Sequence, residues 1–174
     1  MAVEAAEAGH AARTGGEGTR GSVLRSRSLG TNAETIWDEE VVMIERMQEL
    51  LEAERAGVKC LTAMADEAPQ GEKKDFLTFL RNDEGRFCAG LYRLIEVRGA
   101  APHGKVGPFA DKVLALPGEA ERLALLVKGQ AWVVRKIDEL PQAEMTPGEK
   151  TFFADMRDAH VVNIEACRKS LPAG

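Results

Sequence analysis

The sequence lacks several features that would assign it to a broad class of protein. No apolar run approaches the ~18–20 residues that a membrane-spanning helix requires. Basic residues are not in excess, because 23 Lys and Arg stand against 28 Asp and Glu, for a formal net charge of −5. Phosphate contacts need a concentrated basic face, so this balance argues against a nucleic-acid-binding protein. We therefore expect neither a membrane nor a nucleic acid as a partner.

Cysteine is scarce, and catalytic signatures are missing. Cys60, Cys88 and Cys167 lie far apart with no Cys-x-x-Cys spacing, which favours buried, reduced thiols over a disulfide framework or a zinc site. The sequence contains no Gly-x-Ser-x-Gly, P-loop, dinucleotide-binding or His-Glu-x-x-His motif. It indicates no catalytic residue, and it leaves open whether the protein is an enzyme.

Residues 1–31 differ in composition from the rest of the chain. They are rich in Gly, Ala, Ser, Arg and Glu, with few large aliphatic side chains. Such a segment cannot bury enough apolar surface to offset the entropy that ordering would cost, so we expect a disordered tail. One folded domain is expected at residues 32–171. The tail lacks the apolar core of a secretory signal, and together with reduced cysteines this predicts a cytoplasmic protein.

Four helical patterns follow, each with apolar residues at intervals of three and four, which is typical of helices with one buried face. We expect these helices at about residues 32–65, 72–97, 119–140 and 147–170. Thr146 and Pro147 are a favourable N-cap and first residue for the last one. The connections are short, long and short, and the long one spans residues 99–118. This all-α pattern predicts a four-helix bundle with one long crossover between helices 2 and 3, the ferritin-like arrangement.

Each helical pattern places one polar residue on its apolar face. These residues are Glu54, Glu84, Gln130 and His160. Each lies in the middle third of its helix, so a bundle would bring all four to a similar depth. Because a buried carboxylate without partners is costly, the four residues need an explanation. A metal ion is one explanation, since di-iron bundles use inward-pointing Glu and His residues, and a metal-free polar network is the other.

Three strings carry a resemblance to a known family: LLEAERAG (50–57), DEGRFC (83–88) and GQAWVVRK (129–136). They are similar to an uncharacterised branch of the ferritin-like superfamily. The resemblance covers about residues 36–170 and implies the fold without implying an activity. Carried over to this chain, the superfamily's ligand pattern implies that Glu54, Glu84 and His160 would be metal ligands.

Three positions depart from that ligand pattern. Phe87 stands where a His belongs, Gln130 where a Glu belongs, and Arg157 where a Glu should precede His160 by three residues. The guanidinium of Arg157 could supply the positive charge that a metal supplies elsewhere. We therefore predict a buried, metal-free polar network with no cofactor, made of Glu54, Glu84, Gln130, Arg157 and His160.

Two functional hypotheses follow. The preferred one is a non-enzymatic module with a metal-free polar core that serves oligomerisation or the binding of a small molecule or protein. The alternative is a redox or storage-type protein that binds iron, manganese or zinc at an altered site. Association through helix faces makes a homodimer the expected oligomer.

Overall fold

The computed structural model describes residues 31–171, with side-chain detail from residue 39 onward. Five α-helices make up this part of the chain: α1 Thr31–Glu67, α2 Glu72–Val97, α3 Phe109–Leu114, α4 Glu119–Asp138 and α5 Pro147–Lys169. Residues 31–171 contain no strand, which confirms the all-α prediction. None of these helices combines the length and apolar character of a membrane span. The predicted tail lies outside the described residues, apart from Thr31 at the start of α1.

Glycines with positive φ delimit α2. Gly71, at φ 123°, precedes the helix, and Gly99, at φ 76°, follows it. The amide of Gly99 donates to the carbonyl of Glu96 at 2.9 Å, and that of Ala100 donates to Ile95 at 3.1 Å. This pair of hydrogen bonds is a Schellman cap, which requires a left-handed residue that glycine adopts without strain. The cap explains why α2 ends at the predicted residue.

A capping box begins α5. The amide of Glu149 donates to Thr146 Oγ1 at 3.2 Å, and the amide of Thr146 donates back to the Glu149 carboxylate at 2.8 Å. Two amides that the helix leaves without partners are thereby satisfied. Thr146 as N-cap and Pro147 as first residue are both confirmed.

The four long helices pack as two pairs. α1 lies along α2 and α4 lies along α5, and the pairs meet where α1 contacts α4 and α2 contacts α5. Short connections make each pair antiparallel. The crossover, residues 99–118, carries α3, which packs on both α1 and α4. The crossover therefore closes one side of the junction between the two pairs.

The interior holds two hydrophobic clusters rather than one. The first is formed by residues that include Met47, Leu50, Phe87, Val133 and Met156. The second is formed by residues that include Cys60, Leu80, Leu126 and Cys167. On each long helix, the polar residue of the inner face falls between the segments that contribute to these two clusters. The site is therefore a polar layer between two apolar ones.

Candidate functional site

The polar layer consists of one side chain from each long helix. Glu54 of α1 is 0% exposed, Glu84 of α2 4%, Gln130 of α4 5% and His160 of α5 1%. The structure thus brings together four residues that the sequence places up to 106 positions apart. All four occupy the inner face because they continue the apolar stripe of their own helix, where they replace an aliphatic side chain.

The imidazole of His160 has a fixed orientation. Its Nδ1 lies 2.8 Å from the carbonyl oxygen of Met156, one helical turn earlier. Because a carbonyl can only accept a hydrogen bond, Nδ1 carries the proton. Its Nε2 is thereby turned towards the layer and lies 3.2 Å from Oε1 of Glu54. The ring of Phe87 packs beside the imidazole, with 5.6 Å between the two ring centroids.

Two carboxylates and this imidazole converge. One ligand atom each of Glu54, Glu84 and His160 lies within 4.8 Å of the other two. The amide nitrogen of Gln130 donates a hydrogen bond to Oε1 of Glu84. Gly57 permits this approach, because a Cβ there would collide with the Glu84 carboxylate. The layer therefore presents two oxygens and one nitrogen to a common point.

Burial disfavours the charged forms of both glutamates. Desolvation raises the pKa of Glu54 to about 8, while the neighbouring Glu84 carboxyl group lowers this pKa and the negative charge of Asp83 raises it. The pKa of Glu84 is raised well above its usual range, first by desolvation and then by the negative charge of Glu54. The two carboxylates cannot both be ionised at neutral pH without a compensating positive charge.

Part of the layer lacks hydrogen-bond partners. Among the residues that the structure describes, Oε2 of Glu54 and Oε1 of Gln130 are buried without a partner. Buried polar atoms are almost always hydrogen-bonded, so each such atom needs an explanation. Within residues 39–171, no Lys or Arg forms an ion pair with Glu54 or Glu84, and the imidazole is the nearest basic group. The described lysines and arginines therefore supply no positive charge to the layer.

The prediction that Arg157 belongs to the network is wrong. Its side chain is 41% exposed, and its Nε donates to Asp138 at 2.7 Å, at the end of α4. Met156 and His160 lie on the inner face of α5, and a residue next to Met156 is rotated about 100° away from it. Asp138 offers a surface partner that requires no burial of the guanidinium. Among residues 39–171, no guanidinium or ammonium group therefore pairs with the carboxylates of the layer.

A second polar contact borders the layer. The side-chain amide of Asn163 donates to Asp83 at 3.2 Å, and Asn163 is 1% exposed. Oδ1 of Asn163 has no partner among residues 39–171. Sequence reasoning could have placed Asn163 here, because it lies one turn after His160 on the same face of α5.

The three thiols are poorly suited to chemistry. All of them are free, and Cys60 and Cys167 are buried. Desolvation raises the pKa of Cys60 and of Cys88 to about 12, and that of Cys167 to about 11. Because the thiolate is the reactive form, these raised pKa values disfavour nucleophilic chemistry at the three thiols.

A cavity of about 760 Å³ adjoins the layer. It lies between α1, α4 and the crossover, and Glu84 and Gln130 line it. Both residues lie at the edge of this cavity, although they are only 4% and 5% exposed. No sequence pattern indicates this cavity, because it depends on how the crossover folds back over α4.

A protein-family model matches residues 39–169, which include most of α1 and all the other helices. The chain belongs to this family, a domain of unknown function (DUF6306). The match spans the whole polar layer of the DUF6306 domain, from Glu54 to His160. No curated protein and no solved structure matches the chain.

Proposed function

We propose that this DUF6306 domain is a ferritin-like helical bundle that binds one divalent metal ion through Glu54, Glu84 and His160. One observation carries the proposal: the Met156 carbonyl holds the proton on Nδ1 of His160 and turns Nε2 towards both carboxylates. Metal-binding histidines almost always donate their other N–H in this way, which fixes the tautomer and leaves a lone pair for the metal.

The donor set suits particular metals. Carboxylate oxygens and an imidazole nitrogen together favour Fe²⁺, Mn²⁺ or Zn²⁺ over Mg²⁺ or Ca²⁺, which prefer oxygen ligands alone. Two carboxylates would neutralise one divalent ion, and the ion would give Oε2 of Glu54 a partner. Three protein ligands leave coordination positions open, as catalytic sites do and structural sites do not.

One ion fits this chain better than two. The superfamily's paired site uses six side chains, and here Phe87 and the exposed Arg157 remove two of them. Gln130, at the position of a third, donates to Glu84 and adds no negative charge. Its contribution is to hold the Glu84 carboxylate in place. The proposed site is therefore mononuclear.

A metal-free polar core is the competing candidate. A raised pKa would leave Glu54 protonated at neutral pH, and its hydroxyl could then donate to Nε2 of His160. The layer would be neutral and would serve only to align the helices. This version of the metal-free network no longer includes Arg157.

Elemental analysis separates the two candidates. The full chain is purified without chelators or a metal-affinity tag, then incubated anaerobically with Fe²⁺, Mn²⁺ or Zn²⁺ and desalted. We expect one ion per chain in the wild type and none in a Glu54→Gln, Glu84→Gln double variant. Glu45→Gln, an exposed change on the same helix, is the matched control and should retain the ion. A wild-type chain that stays metal-free under all three conditions would favour the neutral network.

A further inference from the structure

The cavity between α1, α4 and the crossover has the size and walls of a small-molecule site. Its volume of about 760 Å³ falls within the ~300–1,000 Å³ typical of ligand pockets. Its walls are mainly apolar, and the apolar side chains that line them include Ala53, Phe109, Leu126, Trp132 and Val133. Phe109 and Trp132 are only partly buried, so both rings can contact a ligand in this space. Two aromatic side chains favour a ligand with an aromatic body.

Hydrogen bonds hold the crossover wall of the cavity against α1. The side-chain amide of Gln48 on α1 donates to the carbonyl of Ala101 at 2.9 Å and accepts from the amide of His103 at 3.1 Å. Further along the crossover, the amide of Gly107 donates to the carbonyl of Glu52 at 3.3 Å. Because this wall is attached at successive points before any ligand binds, binding requires little reordering of the chain.

The contact between Phe109 and Gly129 places two lysines beside the same aromatic wall. A Cβ on Gly129 would collide with the ring of Phe109, so this ring packs directly on the backbone of α4. Lys128 is the chain neighbour of Gly129 on α4, and Lys112 follows Phe109 by one turn of α3. Both lysines line the cavity. Two positive charges therefore lie next to an apolar, aromatic surface.

Neither of these lysines forms an ion pair with a side chain of residues 39–171. Lys112 and Lys128 are both exposed. The lysines of this part of the chain that do form ion pairs are Lys59, Lys73 and Lys136. Both ammonium groups at the aromatic wall can therefore pair with an anion that enters the cavity.

Three glutamates also line the cavity, but they stand on α1, which is a different wall from that of the lysines. Glu49 lies 3.5 Å from the ammonium group of Lys136, and Glu52 lies 3.8 Å from the imidazole of His103. The third, Glu45, forms no ion pair within the described residues. A ligand with one negative charge can pair with the lysines, whereas a second negative charge would add repulsion from α1. The distribution therefore favours a carboxylate over a phosphate.

We propose that this cavity binds a small carboxylic acid with an aromatic body, in its anionic form. The carboxylate pairs with Lys112 and Lys128, and the aromatic body packs against Phe109 and Trp132. Trp132 follows Lys128 by four residues on the same face of α4, so one ligand can contact both side chains. Recognition requires no contact with the polar layer, so the inference holds whether or not that layer takes up a metal.

Three probes that share one aromatic body test the proposal. Metal-depleted full-length protein, in which a carboxylate has no metal to bind, is titrated calorimetrically with 2-naphthoate, with its neutral amide and with 2-naphthyl phosphate. We expect 2-naphthoate to bind about two- to thirtyfold more tightly than the amide, the range for two exposed ion pairs. At about pH 8 the phosphate carries about two negative charges, so it should bind more weakly than 2-naphthoate. Added salt should narrow the preference for 2-naphthoate over the amide.

Substitution of the two lysines tests the ion pairs without disturbing the core. In the Lys112→Gln, Lys128→Gln double variant, 2-naphthoate should bind no more tightly than the amide, through a loss confined to the anions. A Lys150→Gln, Lys169→Gln double variant is the matched control. It changes the net charge equally, at two exposed residues of α5 that do not line the cavity, and should leave all three affinities unchanged.

Cavity-filling variants test where the probes bind. Ala53→Phe should abolish binding of all three probes by occupying the space between the walls. Ala89→Phe makes the same change in a shallow pocket between α1 and α2 and should leave the affinities unchanged. Circular dichroism establishes that each variant is folded. Failure of the wild type to bind 2-naphthoate, equal affinity for 2-naphthoate and the amide, tighter binding of the phosphate, a preference that survives loss of the two lysines, or binding that survives Ala53→Phe would each overturn the proposal.

Discussion

Nε2 of His160 lies 3.2 Å from Oε1 of Glu54, and this contact joins the last helix to the first through the centre of the molecule. Both side chains are fully buried. Because Oε2 of Glu54 has no partner among the described residues, the imidazole is one of the few groups that stabilise this carboxyl group. The same pair therefore bears on stability and on the proposed metal site.

Removing one member of the pair should cost more than removing both. In metal-free protein, His160→Leu should lower the free energy of unfolding by roughly 1–3 kcal/mol, because it leaves Glu54 buried with an unmet hydrogen bond. Adding Glu54→Leu should recover part of that loss, since an apolar pair needs no partner. Urea denaturation of the two single variants and the double variant completes the cycle. Strictly additive changes would contradict the proposed coupling.

Metal-free protein should lose stability as the pH rises. The folded chain keeps a proton on Glu54 up to about pH 8, whereas an ordinary glutamate releases it near pH 4.5. The folded state thus binds more protons between these values, so its stability is fully present below the lower pKa and falls towards the upper one. We expect a loss of roughly 5 kcal/mol over this window, measured by urea denaturation with metal chelated.

Glu54→Gln is the control for that pH dependence. An amide has a similar shape and no titratable proton, so the contribution of Glu54 should disappear and the curve should become flatter. Glu84, whose pKa is also raised, would supply the remaining slope in the same direction. A wild-type curve that rises or stays flat between the two pKa values of Glu54 would show that this carboxyl group is ionised in the folded protein.

Metal affinity should change with pH in the opposite sense. Metal binding requires Glu54 in its ionised form, so below about pH 8 each ion must displace a proton. The apparent affinity for Zn²⁺ should therefore increase as the pH rises from about 6 to about 8. Calorimetric titration in two buffers of different protonation enthalpy counts the released protons. Binding that releases none would place the metal elsewhere on the chain.

The ion pair between Arg98 and Glu149 should be far more important for stability than the surface pair of Arg157. Arg98 is 9% exposed and donates to Glu149, which is 5% exposed, at 2.6 Å. It also contacts Glu40 on α1 at 2.6 Å, so it links three helices. Arg98→Ala should cost about 3–5 kcal/mol, because it leaves Glu149 buried without its cation. Arg157→Ala, the matched control, should not change the denaturation midpoint measurably.

Helical periodicity was sufficient to identify the polar layer. Each of four polar residues replaces an apolar residue in a regular helical stripe: Glu54, Glu84, Gln130 and His160. Such a stripe is the buried face of its helix, whatever the details of packing. Arg157 was misplaced because its position came from a family ligand spacing rather than from the stripe. On α5 that position lies beside the inner face, and Asp138 provides a partner in solvent.

The cavity and the orientation of His160 depend on contacts that no local pattern encodes. The cavity lies between α1, α4 and the crossover, where Phe109 of the crossover packs on Gly129 of α4. A glycine in a helix indicates that another part of the chain packs closely against it, but the sequence does not show which part. The direction of Nε2 likewise depends on a rotamer that hydrogen-bonds the Met156 carbonyl. Both features follow from tertiary packing, so they are visible only in the three-dimensional structure.

A crystal structure of protein soaked in Zn²⁺, with data recorded on both sides of the zinc absorption edge, tests the central claim most directly. We predict one strong anomalous peak per chain, bounded by Glu54, Glu84 and Nε2 of His160, and no such peak in the Glu54→Gln, Glu84→Gln variant. Anomalous density only at surface carboxylates, with hydrogen-bonded Glu54 and His160 and no metal between them, would contradict the metal site and leave a neutral polar layer.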